Sequence, residues 1–113
     1  MTYRVKSKYR AKPTRVDNIR FHSAKEARRY GELKLLEKAG EIVALVLQPR
    51  FPLHAWSGDH AEAPFVGVYT ADFEYLDCHG RRIVEDVKGC QTPMYRWKKK
   101  HMLAQYGITI LET

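Results

Sequence analysis

The chain has few cysteines and no long apolar run, and both shortages narrow the class of protein. Its 113 residues include two cysteines, Cys78 and Cys90, whose spacing matches no metal-binding motif. A disulfide between them stays open, but two thiols in a chain without a secretory signal suit a reducing cytoplasm. No apolar run approaches the roughly 20 residues that a membrane helix requires. We therefore expect a cytoplasmic protein with no membrane partner.

Acidic residues are scarce in the first 20 positions, where Asp17 stands alone against seven cations. The whole chain has 20 Lys and Arg against 13 Asp and Glu, a formal net charge of +7 at pH 7. Clustered positive charge favours phosphate contact, although a basic surface alone suits a protein without a polyanionic partner nearly as well. The expected DNA-binding residues are Lys6, Lys8, Arg10, Lys12 and Arg15 at the N-terminus, and Lys98, Lys99 and Lys100 in a second cluster.

The length predicts one folded domain preceded by a basic arm. Residues 1–20 hold few apolar anchors, so we expect a flexible arm there and a single domain over 21–113. Ser23 and Glu26 form a capping-box pattern that starts a helix ending near Gly40. Thr92 followed by Pro93 starts a second helix, which Gly107 closes. The predicted apolar face of this helix carries Met94, Trp97, His101 and Ala104.

Strands are predicted between and after the helices from β-branched and alternating residues. We expect strands near 44–48, resuming over 50–55, then over 65–76, 82–87 and 108–111. The segments 65–76 and 82–88 form a predicted β-hairpin around the turn at 77–80. The predicted fold class is α/β, with an α+β mixed sheet in the order helix, three strands, helix, strand.

The predicted hairpin brings two carboxylates and an ammonium group together. Side chains alternate along a strand, so Asp86 and Lys88 share one face, next to the strand that carries Asp72. Carboxylates with water suit a hard cation such as Mg²⁺, and Mn²⁺ would substitute. Such an ion clamps a scissile phosphate and activates water, while the lysine orients that water or offsets phosphate charge.

Each of these residues also has an ordinary structural explanation. Asp86 and Lys88 make a plausible exposed ion pair, Asp72 a strand-edge carboxylate, and Glu26 the capping-box partner of Ser23. Together they are harder to dismiss, because carboxylates within half-buried strands require a reason. Glu26 also leans toward the partly buried face of its helix and is a candidate ligand to the metal or its water.

The pattern of an aspartate, a hairpin and then Asp-Val-Lys, with a glutamate on a preceding helix, resembles the PD-(D/E)XK nuclease superfamily. More narrowly, the chain is similar to small phage-encoded nucleases related to Holliday junction resolvases, over roughly residues 15 to 113. The motifs that carry this resemblance are Phe21-x-Ser23-x-x-Glu26-Ala27, Leu47-Gln48-Pro49-Arg50-Phe51, Tyr69-x-Ala71-Asp72-Phe73-x-Tyr75, Val84-Glu85-Asp86-Val87-Lys88-Gly89 and Tyr106-Gly107-Ile108.

The resemblance implies a restriction-endonuclease-like core and assigns roles to single residues. Glu26, Asp72 and Asp86 would ligate the metal with the backbone carbonyl of Val87, and Lys88 would be the catalytic lysine. Ala71 stands where the family often has proline. The (D/E)XK spacing and strand alternation both select Asp86, but a bulge would turn Glu85 inward instead.

The implied function is a Mg²⁺-dependent endonuclease that resolves four-way DNA junctions by paired nicks, in the host cytoplasm if the gene is phage-encoded. Two symmetric nicks require two active sites, so we expect a homodimer. Recognition would depend on the shape of the DNA backbone. One alternative is a nuclease of the same fold that cuts flaps or linear duplex. Another is a non-catalytic DNA-binding accessory protein of recombination.

Overall fold

The computed structural model describes residues 13–55, 63–88 and 91–113, and these ranges hold two helices and eight strands. The helices are α1 (Ala24–Lys38) and α2 (Pro93–Tyr106). The strands are β1 (Thr14–Val16), β2 (Ile19–Phe21), β3 (Val43–Leu47), β4 (Arg50–His54), β5 (Phe65–Thr70), β6 (Phe73–Leu76), β7 (Arg82–Asp86) and β8 (Leu111–Glu112).

The largest sheet is mixed and has the strand order β3-β6-β7-β8. β6 pairs antiparallel with both β3 and β7, whereas β7 and β8 run parallel. Two further antiparallel pairs, β1-β2 and β4-β5, complete the fold. The predicted mixed-sheet α+β class is therefore confirmed, with more strands than the sequence indicated.

The predicted single strand over 65–76 is wrong, because the chain changes sheets at Ala71 and Asp72. β5 pairs with β4, and β6 pairs with β3 and β7. The opposite strand breaks at the same level, where Gln48 has a positive φ of 51° and Pro49 follows. The Gln48 N–H donates to the Asp72 carbonyl at 2.9 Å and the Ala71 N–H donates to the Pro49 carbonyl at 3.1 Å. The result is one long hairpin, kinked in its middle.

The prediction of a flexible arm is also wrong for its second half, because β1 and β2 form a hairpin there. Asp17 and Asn18 have positive φ values of 52° and 61°, the geometry of a tight two-residue hairpin turn that these residue types tolerate. The Tyr30 hydroxyl donates to the Asp17 carboxylate at 2.9 Å, and Val16 packs against the core near α1. Residues 1–12 of the predicted arm lie outside the described ranges.

Both predicted helix starts are confirmed at the atomic level. Ser23 Oγ accepts the Glu26 N–H at 3.1 Å, and Thr92 Oγ1 accepts the Tyr95 N–H at 3.1 Å. Gly107 closes α2 in a left-handed conformation with a φ of 68°, which glycine adopts without steric cost. In the part of the chain that the structure describes, neither helix is long and apolar enough to cross a membrane.

Two hydrophobic clusters lie on opposite faces of the mixed sheet. Phe73 and Tyr75 of β6 pack with α1 and the β1-β2 hairpin. Val84 of β7 packs with α2, β4 and β5. On α2 the buried residues are Tyr95 and Met102. The predicted apolar face through Met94 and Trp97 is therefore wrong, and this face lies toward solvent.

Glu85 is a fully buried charge that the α1 side of the sheet neutralises. Arg29 forms a two-point ion pair with it, Nε to Oε1 at 2.6 Å and Nη2 to Oε2 at 3.0 Å. The Tyr75 hydroxyl donates to Oε2 at 2.5 Å and Thr113 Oγ1 to Oε1 at 3.1 Å. The hydrogen bond to Glu85 raises the pKa of Arg29. The contacts of Glu85 join α1, β6, β7 and the C-terminal segment.

We expect Arg29→Met to lower the free energy of unfolding by about 3–5 kcal/mol, because it leaves the Glu85 carboxylate buried without its cation. Urea denaturation at pH 7 measures the change. Adding Glu85→Gln should restore part of the loss, since the amide carries no charge. Arg81→Met, which removes an exposed pair with Asp77, is the control and should change stability little. Equal stability of the first variant and the wild type would contradict this account.

Candidate metal and phosphate site

Asp72 lies at the kink of the long hairpin, where the backbone holds it firmly. Its N–H donates to the Glu85 carbonyl at 3.1 Å, and its carbonyl accepts the Gln48 N–H. Its side chain accepts the Val87 N–H at 2.7 Å on Oδ2. The carboxylate is thereby directed to the end of β7, where Asp86 lies.

Asp86 is a buried carboxylate, 4 % exposed, on the α2 face of β7. It accepts a short hydrogen bond from the Tyr69 hydroxyl of β5. Its Oδ1 lies 3.0 Å from the Lys88 Nζ. The structure thus brings together Asp72, Asp86 and Lys88, as the predicted hairpin required.

Asp72 and Asp86 form a coupled carboxyl pair. Burial, a hydrogen bond to the Asp86 carboxyl group and the charge of Asp86 raise the pKa of Asp72 to about 8, and the Val87 N–H lowers it only in part. Two adjacent buried carboxyl groups repel each other when both are ionised, so the pKa of one of them rises. The pair therefore holds a proton on Asp72 near neutral pH.

Glu26 lies in the first turn of α1 and is 5 % exposed. Burial raises its pKa, His22 lowers it, Asp86 raises it and Lys88 lowers it. These influences place Glu26 within electrostatic reach of the cluster. Glu26 lies on the α1 side of the cluster, in agreement with its predicted position toward the buried face of the helix.

Lys88 is held on three sides just after β7. Its Nζ contacts Asp86 and lies 3.9 Å from the centre of the Tyr95 ring, a cation–π geometry. Its carbonyl accepts the Lys25 Nζ at 2.9 Å, and its N–H donates to the Thr113 carbonyl at 3.1 Å. Backbone, carboxylate and ring together fix where the ammonium group points.

The choice between Glu85 and Asp86 has a clear structural answer. β7 pairs with β6 and β8 without a bulge, with Phe73 opposite Glu85. Glu85 therefore lies on the α1 face, bound by Arg29, while Asp86 lies on the α2 face beside Lys88. Asp86 is the residue that faces Asp72.

Sequence reasoning missed the two tyrosines that support the cluster. Tyr69 is buried and holds Asp86 by its hydroxyl. Tyr95 lies under Lys88, and its own hydroxyl donates to Glu112 at 2.7 Å. A tyrosine three residues before Asp72 in a strand was a signal for Tyr69. No local signal indicated Tyr95, because its contact depends on how α2 packs on the sheet.

The chemistry of the cluster fits a hard divalent cation in part. Two adjacent carboxyl groups, one with a pKa raised by burial and by its neighbour, offer oxygen ligands for such an ion. Within residues 13–55, 63–88 and 91–113, however, no three His, Cys, Asp or Glu side chains are grouped closely enough to hold an ion. Asp72 and Asp86 are therefore the candidate pair of ligands, and Glu26 is their electrostatic neighbour.

The predicted DNA-contacting cations divide into three groups. Lys6, Lys8, Arg10 and Lys12 lie outside the described residues, and Arg15 is exposed on β1. Lys98 Nζ donates to the Val68 carbonyl at 2.9 Å and Lys99 Nζ to the Glu112 carboxylate at 3.0 Å. Lys100 is exposed.

Comparison with known proteins gives one family match, which covers residues 6–111 and is described as "Protein of unknown function (DUF1064)". The chain belongs to the DUF1064 family. No curated protein and no solved structure matches the chain. The match spans all of the candidate site of this DUF1064 protein, from Glu26 to Lys88.

The raised pKa of Asp72 predicts a pH dependence of stability in the absence of metal. Between pH values of about 4 and 8 the folded state keeps a proton that the unfolded state releases, so stability falls as pH rises through this window. Asp72→Asn mimics the protonated form and still accepts the Val87 N–H. We expect urea midpoints in EDTA to favour the variant increasingly from pH 5 to pH 8.

Glu74→Gln is the matched control for this experiment, because Glu74 lies two residues after Asp72, on β6, but pairs with Arg82. Its urea midpoints should run parallel to those of the wild type across the same pH range. Parallel curves for Asp72→Asn and the wild type would show that Asp72 holds no extra proton in the folded protein.

Proposed function

We propose that this protein is a metal-dependent DNA endonuclease with a restriction-endonuclease-like core. The observation that carries the proposal is the buried Asp72–Asp86 carboxyl pair with the Lys88 ammonium 3.0 Å from Asp86. Embedded acids with perturbed protonation next to a lysine are typical of catalytic centres. A structural ion pair alone gives no reason for the second carboxylate.

The surrounding fold supports the resemblance to PD-(D/E)XK nucleases. The antiparallel β6-β7 pair carries the Asp-Asp-Lys set, α1 precedes it with Glu26, and α2 leads to the parallel strand β8. This is the helix, strands, helix, strand order expected from the resemblance, with the β4-β5 pair and the β1-β2 hairpin added. Asp86, rather than Glu85, takes the position of the second acid.

Each residue of the cluster has a role in phosphodiester hydrolysis. Mg²⁺, or Mn²⁺ in its place, would be held by Asp72 and Asp86, with Glu26 and the Val87 carbonyl as further candidates, and would supply water activation and phosphate charge neutralisation. Lys88, fixed by Asp86 and the Tyr95 ring, orients water or offsets charge on the phosphate. Tyr69 fixes the Asp86 carboxylate and excludes solvent from one side.

The proposed substrate is branched DNA, most specifically a four-way junction cut by paired nicks, and the proposed working form is a homodimer in the cytoplasm. Support for the substrate comes from the resemblance to junction resolvases and from the net charge of +7. A homodimer follows from the task, because each copy carries one cluster and two strands must be cut.

We predict that the purified protein nicks a labelled four-way junction in Mg²⁺ and that Asp72→Asn reduces nicking at least a hundredfold while junction binding persists. The assay compares junction, flap and linear duplex of the same sequence on denaturing gels. Glu74→Gln serves as the control, because it changes an acid on β6 that pairs with Arg82, and it should keep activity.

Each outcome of the gel assay decides between named functions. Equal cutting of duplex and junction would refute the resolvase assignment and favour a duplex nuclease, and preference for the flap would favour a flap nuclease. No cutting of any DNA in Mg²⁺ or Mn²⁺ would refute the enzyme and favour an accessory DNA-binding protein.

Calorimetry with Mn²⁺ separates an intact metal site from a decayed one without any DNA. Wild-type protein should bind the ion with release of protons at pH 7, because Asp72 must lose its proton. Asp86→Asn should weaken binding by about tenfold to a hundredfold or more. Equal binding by Asp86→Asn and wild type would place the ion elsewhere and contradict the proposed site.

A further inference from the structure

Two pairs of aromatic rings lie near each other on the surface, one pair on α2 and one on the β4-β5 strands. Trp97 is 46 % exposed, and its ring centre lies 5.2 Å from that of His101. Across from α2, Phe65 of β5 is 61 % exposed and lies 5.8 Å from the His54 ring. A folded protein leaves exposed aromatic rings grouped in this way where a partner covers them.

A cavity of about 630 Å³ joins the two ring pairs, lined by His54, Ala55, Ala63, His101, Ala104 and Gln105. His101, which packs beside Trp97, and His54, which packs beside Phe65, both line this cavity. Gln105 fixes this wall, because its Oε1 accepts the His54 N–H at 2.8 Å and its Nε2 donates to the Pro52 carbonyl at 3.2 Å. The surface is thus a fixed apolar recess between aromatic rings.

The helix and the two strands that border the recess carry charge of one sign. α2 reads PMYRWKKKHMLAQY, β4 reads RFPLH and β5 reads FVGVYT, so the three elements contain no Asp or Glu. Arg96 and Lys100 are exposed, and at 100° per residue Lys100 lies 60° from Trp97 around the helix. Exposed aromatic rings beside cations suit a polyanion that also presents flat faces.

Unpaired nucleotides have this combination of flat bases and charged phosphates. Aromatic side chains stack on bases while basic residues follow the backbone. A second copy of the chain fits less well, because a twofold contact through this surface would bring the exposed Arg96 and Lys100 of the two copies close together. A protein partner would have to supply the missing carboxylates.

We infer that the surface formed by Phe65, His54, His101 and Trp97, with Arg96 and Lys100, binds an unpaired stretch of DNA. α2 connects it to the candidate site, since Tyr95 lies under Lys88 on the opposite side of the helix from Trp97. The choice of DNA rests on the proposed function. The inference deepens that function by naming a substrate with unpaired bases near the scissile phosphate, rather than a fully paired duplex.

The test uses Trp97 as its own reporter, in EDTA so that no cleavage occurs. The chain has two tryptophans, so Trp56→Phe leaves Trp97 as the single emitter. We expect oligothymidylate to quench its fluorescence through stacking, and a blunt duplex of equal length to quench it far less. In anisotropy with a labelled oligonucleotide, Trp97→Ala should weaken binding about tenfold, and Trp97→Phe should restore most of it.

Leu103→Ala is the matched control, because Leu103 is an exposed apolar residue on α2 that lies 120° from Trp97; it should bind like the wild type. Lys100→Gln should reduce the salt dependence of binding. Unchanged affinity of Trp97→Ala, or an unquenched Trp97 in a bound complex, would overturn the inference. So would tighter binding of oligouridylate than of oligothymidylate, or conversion of a dimer to a monomer by Trp97→Ala with DNA binding intact.

The same measurements distinguish failure of this surface from failure of the proposed nuclease. Asp72→Asn should keep full quenching, because Asp72 is remote from the rings and the assay contains no metal. If the wild-type protein shows quenching but no nicking, the nuclease proposal fails and the proposed DNA-binding surface stands. If it nicks junctions without quenching, the proposed surface fails and the nuclease proposal stands.

Discussion

The hydrogen bond from the Val87 N–H to the Asp72 carboxylate holds the candidate site together. It joins the kink of the long hairpin to the end of β7. The kink itself has independent support from the Gln48 and Pro49 backbone. Because Asp72 is fixed at both backbone and side chain, its repulsion from Asp86 cannot be relieved by movement. A proton or a cation must balance the pair.

The sheet register sets which acid enters this pair. Adjacent residues on β7 point to opposite faces, so Glu85 and Asp86 meet different neighbours. Arg29 neutralises Glu85 on the α1 side with two hydrogen bonds. Asp86 receives only a tyrosine hydroxyl and the Lys88 ammonium on the other side. Glu85 is thus occupied by structural contacts, whereas Asp86 lies in the candidate site.

Local sequence signals predicted the features whose cause is local. Caps at Ser23 and Thr92, the β6-β7 hairpin and the inward position of Asp86 all depend on residues within a few positions of one another. The kink at Asp72 could not be predicted, because the apolar run of 65–76 continues through it and the break depends on pairing with β3 and β4. The buried face of α2 was mistaken because Met94 and Trp97 are apolar yet exposed, while Tyr95 is polar yet buried.

The exposure of Trp97 shows that α2 has two distinct sides, one packed on the core and one open to solvent. A helix buried by Tyr95 and Met102 needs no further apolar residues for stability, so Trp97 has no packing reason to lie in solvent among cations. Lys98 and Lys99 contact β5 and β8 and hold the helix in place, which leaves Arg96 and Lys100 toward solvent. One side of α2 thereby positions Lys88, and the other presents exposed rings and cations to solvent.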